Sequence, residues 1–170
     1  MRIAKMIKND VANGDGVRCT IFVSGCRLHC KGCFNKDLQD FNCGNEYDLA
    51  HDIALINELS KPYIKGLSIL GGEPFEPENV ECLTNICYFI KHNQEYANKD
   101  IWCWTGHTYE SLIKNGQSRE LLEQIDVLVD GEFMQELHDP TLKFRGSSNQ
   151  RIIDVKKSLA SKQVILYGED

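Results

Sequence analysis

Three cysteines stand close together at Cys26, Cys30 and Cys33, with Phe34 directly after the third. That spacing lets thiolates from one loop converge on a single metal centre. Gly25 and Gly32 supply the tight turns such a loop needs, because glycine adopts backbone conformations that other residues resist. An electron-carrying ferredoxin cluster takes four cysteines, and structural zinc takes four ligands. Three cysteines would leave one iron of a [4Fe-4S] cluster without a protein ligand, which makes room for a small molecule. The rival assignment is zinc, with His29 or Cys43 as fourth ligand, although no second paired ligand motif follows downstream. Inert buried thiols are the plainest alternative.

A second group is Gly71, Gly72, Glu73 and Pro74. Two glycines let a ligand approach the main chain, and Glu73 offers an acceptor to a cation; a simple turn from strand into helix is the competing explanation. Asp130, followed by Gly131, is placed to accept from a ligand or to cap the segment after it. Thr105 is a weaker candidate of the same kind. The stretch Arg145 to Arg151 is dense in hydrogen-bonding groups, suited either to a cofactor or to a partner protein. Cys19, Cys82, Cys87 and Cys103 read as buried free thiols, and Cys43 is left open. His51, His92, His107 and His138 lack metal-ligand spacing, and Trp102 and Trp104 suit a core.

These groups need a scaffold, and the hydrophobic pattern supplies one. Val17 to Ser24 is a β-branched, apolar strand pattern that runs into the cysteine loop. Tyr47 to Leu59 places Leu49, Ile53, Ile56 and Leu59 at helical spacing. Lys65 to Leu70 is a strand that stops at the double glycine. Pro77 to about Tyr96 is an amphipathic helix carrying Val80, Leu83, Ile86, Cys87 and Ile90. Ile101 to Trp104 is a strand, Tyr109 to Lys114 and Ser118 to Gln124 are one broken helix or two short ones, and Ile125 to Val129 is another buried strand. Arg151 to Val155 and Gln163 to Tyr167 supply one or two late strands, with a turn or short helix at Ser158 to Ser161. Alternation of this kind predicts an α/β fold with five or six mainly parallel strands covered by helices. That is too few for a closed eightfold barrel, so the expectation is a partial, open β/α barrel in one domain spanning residues 1–170.

Composition agrees with a packed globular domain: 42% of the 170 residues are hydrophobic and 26% are charged, which excludes disorder and fibrous classes. No apolar run approaches the ~20 residues of a membrane span, and no signal-peptide pattern opens the chain, so a cytoplasmic protein is expected. Eight cysteines are many for a reducing compartment, and chemistry is a better use for some of them than disulfides. The net charge of −6 is uneven. Residues 1–36 and 143–162 are each locally +5, the stretch between them holds twenty acidic residues against six basic, and Glu169 and Asp170 close an acidic tail. So acidic a middle argues against general nucleic-acid binding.

Taken together in order and spacing, the cysteine loop, Gly71 to Pro74, Asn13 to Cys26, Trp104 to Glu110, Asp126 to Phe133 and Phe144 to Asp154 resemble the activating proteins of anaerobic (class III) ribonucleotide reductase, within the radical S-adenosylmethionine superfamily. The resemblance covers about residues 10–155 and departs at Val17, where many relatives carry proline. It implies a barrel of radical S-adenosylmethionine type and a [4Fe-4S] cluster on Cys26, Cys30 and Cys33. It also implies S-adenosylmethionine held through Gly71, Gly72, Glu73 and Pro74; Thr105 and Asp130, by their position at strand ends, are expected as further cofactor contacts. Reductive cleavage of that cofactor would give a 5'-deoxyadenosyl radical, which takes a hydrogen atom from a glycine of the reductase. No general acid or base is required. The partners implied are the reductase and an external one-electron donor, with no nucleic acid and no membrane. Arg27, Lys31, Lys36 and the Lys143 to Lys162 segment are expected to help dock the reductase. The alternatives are another radical S-adenosylmethionine enzyme, either a different glycyl-radical activase or an enzyme of deazapurine synthesis, and a zinc-binding module without catalysis.

Overall fold

The computed structural model describes residues 1–168, so the acidic pair Glu169 and Asp170 lies outside the described residues. Seven strands form one sheet: β1 (Arg2–Asp10), β2 (Val17–Val23), β3 (Asn45–Glu46), β4 (Ile64–Gly71), β5 (Asp100–Trp104), β6 (Val127–Asp130) and β7 (Arg151–Asp154). Five helices accompany them: α1 (Leu49–Leu59), α2 (Pro77–His92), α3 (Tyr109–Leu112), α4 (Gly116–Leu122) and α5 (Val155–Ser161). The strand order is β3-β1-β2-β4-β5-β6-β7, and among the described residues the sheet stays open, with β3 and β7 at its ends.

The expected parallel centre is present: β2, β4, β5 and β6 pair in parallel through helical crossovers. The flanks correct the expectation of a mainly parallel sheet. β1, which the sequence pattern did not reveal, pairs antiparallel with β2 and with β3. β7 returns antiparallel to β6, because residues 131–150 contain no crossover helix and bring the chain back from the same end of the sheet. The second late strand is absent. Gln163 to Tyr167 forms only an isolated bridge, Ile153 to Leu166, and α5 occupies the turn before it.

Strand alternation divides the sheet into two faces. Cys19, Ile21, Val23, Leu67, Ile69, Ile101, Cys103 and Leu128 point into the main core, where Val80, Leu83, Cys87 and Ile90 of α2 and Leu121 and Leu122 of α4 meet them. Each large aliphatic side chain sealed there contributes roughly 2 kcal/mol. The other face carries a smaller core of Trp102, Val127 and Val129, against which Trp104, Phe144 and Ile152 pack. On α1 the expected Leu59 is buried and Ile56 packs against the core, but Leu55 and Glu58 complete the buried stripe while Leu49 and Ile53 are exposed.

No helix among the described residues is long and apolar enough to cross a membrane.

Candidate active site

The cysteine loop and the Gly71 to Pro74 segment meet because the β2–β4 pairing does not stop where the strands do. The Gly72 amide donates to the Val23 carbonyl at 2.8 Å, and the Glu73 amide donates to the Gly25 carbonyl at 2.7 Å. These two bonds fasten the second motif beside the first cysteine. Only glycine fits the contact: a Cβ on Gly72 would lie 2.3 Å from the Gly25 carbonyl oxygen and 2.7 Å from that of Leu38. Gly25 has φ +91°, and a Cβ there would overlap the Phe41 ring. From the other side, the Gly25 and Cys26 amides donate to the carbonyls of Leu38 and Gln39. The buried Asn79 amide ties the Ser24 and Glu73 carbonyls together, at 3.0 Å each.

Glu73 is buried and held by three donors. Its Oε1 accepts from the Phe75 amide at 3.0 Å and from the Thr105 hydroxyl at 2.7 Å, while Oε2 accepts from the Gly106 amide at 2.8 Å. Burial raises its pKa above the usual carboxylate value, and those three hydrogen bonds oppose the rise. Thr105 thus reaches the site as the residue that aims Glu73. Its hydroxyl oxygen also accepts from the His107 amide at 3.1 Å.

Cys26, Cys30 and Cys33 line one cavity of about 680 Å³, together with Gly71, Gly72 and Glu73. Burial raises the Cys26 thiol, and the amides of Leu28 and His29 counteract it; the Cys30 thiol is pushed up to about 11 by burial and Glu132, with the Phe133 amide acting the other way. Amide donors directed at sulfur are the contacts that tune a metal-bound thiolate. His29 takes the left-handed conformation, φ 52°, as the chain turns through the loop.

Neither proposed fourth zinc ligand borders the cavity. His29 Nδ1 pairs with Gln39 Oε1 at 3.1 Å, and the Cys43 carbonyl accepts from the Ser24 hydroxyl at 2.8 Å. Among the described residues no three His, Cys, Asp or Glu side chains close on a single-ion site. All eight cysteines are free, and Cys19, Cys87 and Cys103 are sealed in the main core while Cys82 is half-buried.

Asp130 is placed differently from the rest. Its carboxylate is buried, pairs with Arg151 and accepts from the Tyr109 amide at 2.8 Å, so it anchors the start of α3, and it is Gly131 that borders the cavity. Arg151 is also bidentate to Glu110, at 2.8 and 2.9 Å. The polar stretch before β7 folds around Gln150. Its Oε1 accepts from the Gly146 and Ser147 amides, and its Nε2 donates to the Gly131 carbonyl at 2.9 Å. Phe144, Arg145, Gly146 and Gln150 face the cavity.

The loop's positive charge is largely spent internally. Arg27 pairs with Glu76 and Glu78, and Lys31 pairs with Glu136 at 3.5 Å. Cavity residues that sequence reasoning passed over include Asn13, Leu28, Phe133 and His138, and Trp104, expected in a core, also forms part of the wall. Alternation along β5 carried a usable signal for Trp104, since it shares a strand face with Trp102, away from Ile101 and Cys103.

Comparison with known proteins adds to this geometry. A family described as a 4Fe-4S single cluster domain matches residues 12–153. The chain is 45% identical over 154 residues to the anaerobic ribonucleoside-triphosphate reductase-activating protein of Haemophilus influenzae, covering 89% of this chain and 97% of that protein. It is 43% identical to the protein of the same name from Escherichia coli K12, over 83% of this chain and 90% of the relative. The counterpart in Enterobacteria phage T4 is 38% identical over 84% of this chain and 87% of its own length.

Proposed function

This chain belongs to the family of anaerobic ribonucleoside-triphosphate reductase-activating proteins, and from that premise we propose how its cavity works as the activating enzyme's active site. Its partner is an anaerobic ribonucleotide reductase, and it carries a 4Fe-4S domain. In our reading Cys26, Cys30 and Cys33 hold the cluster and S-adenosylmethionine binds beside it. The fold is then an open β/α arrangement of radical S-adenosylmethionine type. When bound, the two groups supply the reducing electron and the carbon radical that takes a hydrogen atom from a glycine of the reductase.

The residues fit those groups. Thiols are soft donors suited to an iron–sulfur centre, and three of them, rather than four, reserve one coordination position for a small molecule. The cavity, at about 680 Å³, falls within the roughly 300–1,000 Å³ of small-molecule sites. Glu73, once ionised, offers an acceptor to the amino group of the cofactor's methionine, and Thr105 and the Gly106 amide fix its direction. Gly71 and Gly72 let the main chain come close, and the buried Pro74 leads the chain out of the site toward α2. Phe22, Leu70 and Trp104 give the cavity apolar walls that keep water from a reactive species. The electron that the bound groups pass on is supplied to them by an external one-electron donor. Asp130 serves the site by anchoring α3 and β7.

The observation that carries this reading is the pair of bonds from the Gly72 and Glu73 amides to the Val23 and Gly25 carbonyls, which seat an acceptor carboxylate beside the cysteine loop. Zinc binding without catalysis would leave that arrangement unused, and the relatives' shared name does not favour deazapurine synthesis. The test mixes anaerobically reconstituted, reduced protein with S-adenosylmethionine and the reductase. Formation of 5'-deoxyadenosine together with a glycyl radical is expected, and Cys30→Ala is expected to yield neither while keeping its far-ultraviolet circular dichroism. Equal radical yield from Cys30→Ala would refute the ligand assignment.

A further inference from the structure

The rim of the cavity is apolar and faces water. Phe34, a lining residue, is 68% exposed, and Met134 and Leu137, each next in sequence to a lining residue (Phe133 and His138), are 44% and 40% exposed. Phe34, Phe133 and His138 form a closed aromatic triad, with centroids 5.1, 5.4 and 5.8 Å apart. The triad is held firmly. A Cβ on Gly146 would stand 3.0 Å from the Phe133 ring and 3.1 Å from that of Phe34, so both rings lie against bare backbone. His138 Nδ1 donates to the Gly146 carbonyl at 2.7 Å, the Met134 amide donates to the Ser147 hydroxyl at 3.2 Å, and the Ser148 amide donates to the Leu137 carbonyl at 2.9 Å. Rigid aromatic side chains with exposed faces make good binding anchors, because little conformational freedom remains to be lost.

Two further observations say what covers this rim. The triad residues are themselves wall residues of the cavity, whereas other exposed apolar side chains, such as Leu49 and Ile53 on α1 and Tyr88 and Phe89 on α2, border no part of it. Arg27 is paired with Glu76 and Glu78, and Lys31 lies 3.5 Å from Glu136, so these two loop cations are already engaged and the apolar rings are the lip's own feature. Resting on the reading of the cavity given above, we infer that the lip of Phe34, Phe133 and His138, extended by Met134 and Leu137, docks the glycine-bearing segment of the reductase. An apolar side chain next to that glycine covers the lip. Glycine has no side chain of its own to be gripped, so its neighbours must set its position over the cavity.

The test measures the affinity of the cluster-loaded full chain for the reductase under anaerobic conditions. The double variant Met134→Ser/Leu137→Ser, and separately Phe34→Ala, are expected to bind at least tenfold more weakly. The double variant should still cleave S-adenosylmethionine at the wild-type rate without the reductase, and Leu49→Ser/Ile53→Ser should bind as the wild type does. Wild-type affinity should change little between about 0.05 and about 0.3 M salt, the range over which exposed charge pairs are screened. Unchanged affinity in both lip variants, a tenfold loss confined to the α1 variant, or a steep salt dependence would each overturn the inference. Affinity decides the lip and reductase-free cleavage decides the cofactor, so failure of one reading is distinguishable from failure of the other.

Discussion

Cys19 and Cys26 lie seven residues apart on one run of chain, yet they occupy opposite environments. Cys19 sits inside β2 on the helix-facing side, fully buried, its thiol pushed up to about 12 by that burial and by Glu58. Cys26 comes just after the strand. Burial raises it as well, but the Leu28 and His29 amides address its sulfur and a cavity opens beside it. Burial is therefore not what separates these two cysteines. Access and hydrogen-bond donors separate them, and both come from the irregular chain beyond the carboxyl end of the strand. The whole sheet repeats the division: one face is sealed by α2 and α4, and the ends of β2, β4 and β5 carry the polar groups that border the cavity.

The sharpest way to break this comparison is to remove one cysteine from each region. Cys26→Ala should lose nearly all cluster iron and sulfide after reconstitution. Cys19→Ala should keep both and lose only about 1 kcal/mol of stability, as a small buried truncation does. Equal metal content in the two variants would erase the distinction. A somewhat smaller effect is expected where the two regions join. In Gly72→Ala the new methyl would press on the backbone carbonyls of Gly25 and Leu38, so the segments must separate. We expect a loss of about 3 kcal/mol in thermal or denaturant unfolding, together with weaker cofactor binding by calorimetry. An unchanged melting temperature would show that the junction is looser than described.

A smaller effect than that of Gly72→Ala concerns the sealed side. Asp126 pairs with Lys156 at 2.7 Å and with Lys91, and accepts from the Ile101 amide at 2.7 Å. Burial alone would raise its pKa, but the two ammonium groups and the amide outweigh it and leave it below the usual carboxylate value. A folded-state pKa below the unfolded one gives stability that is present above about pH 4 and is lost as pH falls through the folded value. Asp126→Asn should therefore cost about 2 kcal/mol at pH 7 by denaturant unfolding, with the gap from wild type closing below about pH 4. A gap that persists unchanged in acid would assign the loss to packing.

Much of the scaffold was legible because β2, β4, β5 and β6 are short apolar strands separated by helices or turns, a pattern that depends on local sequence. β1 was not, since Arg2, Lys5 and Lys8 break its alternation and only pairing with β2 makes it a strand. The exposed Leu49 and Ile53 misled for the opposite reason: their spacing is helical, but the face packed on the sheet is that of Leu55 and Leu59. Cys26, Cys30, Cys33 and Gly71 to Glu73, which border one cavity, were picked out by type and spacing. The partner of Asp130 was not legible, because Arg151 lies twenty-one residues away and comes alongside only when β7 pairs with β6. The aromatic lip depends on the same return of the chain, which sequence spacing does not convey.

The most direct test of the central claim, a three-cysteine cluster open to a small molecule, is electron paramagnetic resonance of anaerobically reconstituted, dithionite-reduced protein with and without S-adenosylmethionine. The account predicts a [4Fe-4S]+ signal whose shape changes when the cofactor is added. A signal that stays the same, or a sample holding stoichiometric zinc and no iron signal, would contradict it.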